Sequence, residues 1–231
     1  FFWTGQIGRA TTTKTWLSLE RVEVEGLNPR DRGWLNTIDF SMEAISLLVP
    51  LWAGIPAADR AAELIDHTLL ARYLDVFGIP MCPATPHTEG AANLAYIYMS
   101  WNQMIGEALL GYGRREQAAE LLTRLMNAVL PVLKQQHAFR QYYHAQTGQP
   151  AGERNILGGL PPLGLFLRVC GIDRISPTEI CLSGFNPFPA PITVQYRGVR
   201  ITRQEQNTRV TYPNGQAVLL EGSGPYRINL S

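Results

Sequence analysis

Charge of either sign is scarce: Asp, Glu, Lys and Arg make up 17% of the 231 residues, with 20 basic against 19 acidic side chains. The longest basic run is the pair Arg114-Arg115. Neither a nucleic acid nor an anionic membrane surface finds the basic patch it would need, and neither is expected as a partner. Cysteine is also scarce. Cys82, Cys170 and Cys181 are an odd number without metal-type spacing and read as free thiols. His67, His87, His137 and His144 are widely spaced, so no metal and no other cofactor is expected. No apolar run reaches bilayer-spanning length; the stretch at 44–55 is interrupted by Ser46 and Pro50. The glycine-rich GGLPPLG at 158–164 contains prolines that remove the amide donors a phosphate loop requires, and no serine sits in a nucleophile elbow.

What is present suits a folded chain. Hydrophobic residues make up 45%, enough for a sizeable core. Apolar residues recur at three-to-four spacing over 36–53, 57–76, 90–111, 114–135 and 157–169, predicting amphipathic helices arranged as hairpins. After Gly171 the register changes to short β-branched runs at 192–196, 199–203, 208–211 and 217–220, with Pro213-Asn214-Gly215 as a hairpin signal. The proline-rich FNPFPAP at 185–191 reads as a connector. Two parts are therefore expected, a helical one over 1–184 and a small antiparallel sheet over 185–231. The first thirty residues are ambiguous between strand and loop. The chain opens FFWTG without an initiating Met, which reads as a piece of a longer or processed protein, and a cytoplasmic location is favoured.

Two stretches could carry chemistry. NLAYIYMSWNQMIGEALLGYG at 93–113 gathers Tyr96, Tyr98, Trp101, Asn102 and Gln103. Sugars offer apolar ring faces and hydroxyl rims, so a carbohydrate site needs flat aromatics beside amides or carboxylates. The same stripe also suits core packing. FRQYYHAQTGQPAGERN at 139–155 places Gln141, Tyr142 and Tyr143 before a turn, with Glu153 after it; taken alone it also suits a polar loop between helices.

The ordered motifs PLWAGIP, FGIP, WNQMIGEALLGYG, QYYHAQTGQPAGERN, GLPPLGLFL and NPFPAPITVQYRG resemble the C-terminal half of mannosylglycerate-hydrolase-like glycosidases, which belong with processing α-glucosidase and trehalase-like enzymes. The resemblance implies a mainly α fold: a partial (α/α)6 toroid of helical hairpins followed by a small antiparallel β-sheet. It also implies inverting hydrolysis of an α-glucoside or α-mannoside, with an Asp acid and a Glu base placed to admit a water between them. The position matching the base is Gln141, whose amide cannot accept a proton. Three readings stand: a substitution that traps a complex, a natural loss leaving a binding-only or altered enzyme, or an alignment in which another carboxylate such as Glu153 serves. The acid's usual place falls upstream of this sequence. Asp31 and Asp39 are poor substitutes, so a chain of this extent is expected to be inactive alone. The substrate-binding candidates are Tyr96, Tyr98, Trp101, Asn102, Gln103, Tyr142, Tyr143 and Glu153. Expected partners are a carbohydrate and either an N-terminal segment or a second copy covering the cut toroid. The rival reading is a non-catalytic helical module for sugar binding or assembly.

Overall fold

A computed structural model of the chain describes residues 43–83 and 94–230. The first parts of the helices expected at 36–53 and 90–111, His87, Asp31, Asp39 and the ambiguous first thirty residues lie outside the described residues.

Apolar spacing produces helices with shapes the spacing alone does not specify. A 3-10 turn, Ile45–Leu48, runs into the short helix α1 (Val49–Trp52), and together they bury Ile45, Leu48 and Leu51. Pro50 stands in the first turn of α1, where a missing N–H costs no intrahelical bond. Helix α2 (Ala58–Glu63) continues into a π-helical stretch, Leu64–Tyr73, where Leu74 N–H reaches back to Leu69 O at 3.0 Å. The buried residues show why: Ala61, Ile65, Leu69 and Tyr73 recur at every fourth position. A strict step of four creeps around a 3.6-residue α-helix. The wider i→i+5 turns creep the opposite way, so the α-helical and π-helical steps partly cancel and the stripe stays on the core side.

Helices α3 (Met99–Gly111) and α4 (Arg115–Gln136) are joined by a short turn and pack on each other. Pro131 lies inside α4 at an exposed position, and His137 closes the helix with a left-handed φ of 50°. Helix α5 (Leu163–Val169) packs against α3 so closely that a Cβ at Gly106 would stand 2.3 Å from Leu165 Cδ2. Leu109, Leu122, Leu125, Val129 and Leu165, all nearly inaccessible to solvent, belong to this main core. Among the described residues no helix is long and apolar enough to cross a membrane.

Among the described residues, three antiparallel sheets accompany the helices. The first has the order β1 (Tyr96–Ile97), β2 (Arg140–His144), β3 (Pro150–Arg154). Strands β4 (Ile172–Ile175) and β5 (Glu179–Leu182) form the second with β10 (Tyr226–Asn229), which pairs with β5. The third is a meander of β6 (Ile192–Tyr196), β7 (Val199–Arg203), β8 (Asn207–Thr211) and β9 (Ala217–Glu221). Its first turn, Arg197-Gly198, has positive φ at both residues, as a two-residue hairpin matching strand twist requires. Inward residues of the second and third sheets, Ile180, Leu182, Ile228, Ile201 and Val210, share a separate core.

This overturns the expected fold class. The described chain mixes helices with three antiparallel sheets and is not mainly α with a partial toroid. The meander over 192–221 forms where it was expected. The difference comes from 140–154 and 172–182, which lack helical spacing and pair as strands, and from residues 226–229, which return to complete the second sheet.

Candidate functional site

The segment that reads as a loop between helices is a hairpin. Tyr96 pairs with His144 and Ile97 with Tyr143. Strand alternation then sends Ile97 and Tyr143 into the core, both at 0% exposure. Tyr96, Tyr142 and His144 project from the opposite face and remain half-buried. The Tyr142 ring lies 5.0 Å from Tyr96 and 5.1 Å from Tyr98, and His144 meets Tyr96 edge-on at 5.7 Å. Burial, and to a lesser extent Tyr142 and Tyr96, push the Tyr98 hydroxyl above its ordinary pKa, so it stays a neutral donor and acceptor at physiological pH.

Gln141 stands at a fault in the ladder. Arg140 pairs with Arg154 but Tyr142 pairs with Ala151, so Gly152 and Glu153 together oppose Gln141. Gly152 has φ 73°, the left-handed glycine expected at such a bulge. A Cβ there would sit 2.5 Å from Gln141 Oε1 and 2.8 Å from Tyr142 Cζ, so the glycine underlies both side chains. Gln141 Oε1 accepts the Glu153 N–H at 3.3 Å, and its Nε2 has no partner among the described residues. The Glu153 side chain is exposed.

Other candidates have structural duties. Asn102 is 0% exposed: Oδ1 accepts Ile79 N–H at 2.9 Å, while Nδ2 donates to Ile79 O at 2.9 Å and Tyr98 O at 3.0 Å. It therefore fixes Tyr98 at the start of α3 instead of facing solvent. Arg140 N–H donates to the buried Tyr143 hydroxyl at 3.1 Å, which holds the entry to β2. Trp101 packs half-buried against the main core and makes no ring contact or hydrogen bond with Gln141 among the described residues. Gln103 also turns elsewhere, donating to Glu107 Oε1 at 3.1 Å.

Glu107 is a residue that sequence reading passed over. Its Oε2 accepts the indole N–H of Trp52, itself 47% exposed, at 3.0 Å, and Arg168 approaches to 3.7 Å. The i,i+4 spacing of Gln103 and Glu107 was the available signal. Trp52 and Arg168 join them only through the packing of α1 and α5 on α3. Among the described residues no group of three or more His, Cys, Asp or Glu is placed to hold a metal ion.

No family model matches the chain, and no curated protein matches it. Two solved structures from Thermus thermophilus share similarity with part of it. An uncharacterized conserved protein is 24% identical over 56% of this chain and 30% of its own, with a TM-score of 0.43. A GH63 mannosylglycerate hydrolase in complex with Tris is 25% identical over 52% of this chain and 27% of its own, with a TM-score of 0.40. The chain thus spans less than a third of the length of either structure.

Proposed function

We propose that the chain is the sugar-contacting part of a glycoside-hydrolase-like protein, in which Tyr96, Tyr98 and Tyr142 stack on a glucoside or mannoside ring and Gln141 and Glu153 reach its hydroxyls. The observation that carries this reading is the tyrosine row, with Tyr142 within 5.1 Å of two neighbours and its ring over the same glycine as the Gln141 side chain. Rigid aromatic faces beside a free amide donor and an exposed carboxylate suit the two-sided chemistry of a pyranose. Asn102 and Tyr143 act as positioning residues: the first sets Tyr98, the second seats β2. Trp101 supports α3 from the core side, and Gln103 belongs with Glu107.

Binding without hydrolysis is the form this reading takes for the chain by itself. The Gln141 amide holds no proton-accepting oxygen of useful basicity, and the general acid implied by the motif resemblance falls outside this sequence. Calorimetric titration with a panel of α-linked disaccharides and glycerate glycosides tests it. Saturable binding by at least one sugar, weakened about tenfold or more in Tyr142→Ala, is the expected result. Absence of binding by every sugar defeats the reading.

A further inference from the structure

The proline-rich segment at 185–191 is more than a connector. Asn186, 1% exposed, accepts the Phe188 N–H at 3.1 Å and donates to Ala190 O at 2.8 Å and Arg203 O at 3.3 Å, folding the segment around its own amide. Phe188 is held from the helical side by stacking on Phe166, with centroids 6.0 Å apart. The braced segment walls a cleft of about 570 Å³, completed by the first turn of α4 and the turn after β7. That volume falls within the range of small-molecule sites, roughly 300–1,000 Å³. None of its lining residues belongs to the tyrosine row.

Its charge is one-sided. Glu116 and Glu205 both line the cleft and no Lys, Arg or His does. Neither carboxylate has an ion-pair or hydrogen-bond partner among the described residues. The rest of the lining combines Phe185, Phe188, Ala190 and the flanking prolines with the neutral amides of Asn186 and Gln204. Such surfaces favour an apolar stem and can attract a cation over a ring face.

We infer that this cleft binds a small organic cation, an alkylammonium or guanidinium group on an apolar stem, with the stem against Phe185 and Phe188 and the head toward Glu116 and Glu205. An anionic head would meet two uncompensated carboxylates, and a neutral one would leave both without a counter-charge. The cation is carried either by a free amine or by the side chain of a basic peptide, and one experiment separates these sources. The full chain is titrated calorimetrically with n-hexylamine, n-hexanol and N-acetyl-lysine methylamide at low and at high salt. Hexylamine is expected to saturate one site, to bind about tenfold more tightly than hexanol, and to weaken as salt rises. In the double variant Glu116→Gln/Glu205→Gln, hexylamine falls to the level of hexanol. Both positions are exposed and unpaired, so the fold is not at stake. Acetyl-lysine methylamide binding as tightly as hexylamine assigns a peptide-borne cation, and much weaker binding assigns a free amine. No saturable binding of either cation, or hexylamine affinity unchanged in the double variant, overturns the inference.

Discussion

Gln141 Oε1 and the Glu153 backbone N–H meet at 3.3 Å across a one-residue bulge, so the Gln141 side chain is tied to the strand it faces. The tie uses the oxygen and leaves the NH₂ without a partner among the described residues. A carboxylate in the same place would make the same bond with one oxygen and present the other as a proton acceptor.

The substitution Gln141→Glu is therefore expected to leave the bulge intact. In a form of the protein that supplies the general acid, it should raise hydrolysis of a bound α-glycoside by about 10²–10⁴-fold, the usual worth of general-base assistance. Reducing-end release measured on both proteins decides it, and an unchanged rate would move the base elsewhere, Glu153 first.

At Gly152 the backbone conformation and the space act together. Gly152→Ala must hold a side chain at φ 73° and push both Gln141 Oε1 and Tyr142 Cζ aside. Urea unfolding should show a loss of about 1–3 kcal/mol. Sugar affinity should fall by more than the stability change explains, because Tyr142 is displaced from its row.

Asn102→Ala leaves the Ile79 N–H and C=O without their side-chain partner in a buried place. The expected cost is about 2–4 kcal/mol, from two unsatisfied backbone groups. Tyr98 should also loosen, visible as weaker sugar binding in the fraction that remains folded. A cost below about 0.5 kcal/mol would mean that water replaces the amide.

Alkaline stability reports on Tyr73. Burial, reinforced by Glu43, pushes its hydroxyl up to about 12. An unfolded tyrosine ionises at about 10, so this contribution is whole below that pH and is lost as pH climbs from about 10 through about 12. The loss should be about 2–3 kcal/mol, at about 1.4 kcal/mol for each pH unit between the two values. Tyr73→Phe should flatten that part of the stability profile because it removes the titrating hydroxyl, and it should cost little at neutral pH, since the hydroxyl's hydrogen bond to Ala44 O is long at 3.5 Å.

Legibility followed the reach of the interactions. Helices α3 and α4 could be read because long amphipathic stripes repeat their signal many times, and the strands at 192–221 because alternation and turn residues agree. The hairpin carrying Gln141 was harder. Its inward residue is Tyr143 and its outward ones are Tyr142 and His144, so the two faces lack polar contrast. The strict four-residue recurrence from Ala61 to Tyr73 hints at the π-helical step, but three-to-four apolar spacing by itself predicts an ordinary helix there. The bracket made by Asn102 depends on the backbone at Ile79, 23 residues earlier, and no local pattern announces it. The tyrosine cluster was assembled from two segments named as candidates, whereas Glu107 needed three helices to collect its partners.

Strand β10 follows the proline segment and the meander in the chain yet lies beside β5, where Arg227 faces Cys181 and Ile228 faces Ile180. A protease cut within 187–191 should consequently leave two fragments that migrate together until denatured, because the C-terminal fragment carries β10 with it. Trimming the chain back to the end of β9 would instead strip one flank from β5 and open Ile180 and Leu182 to solvent, which makes this short tail the clasp of the second core.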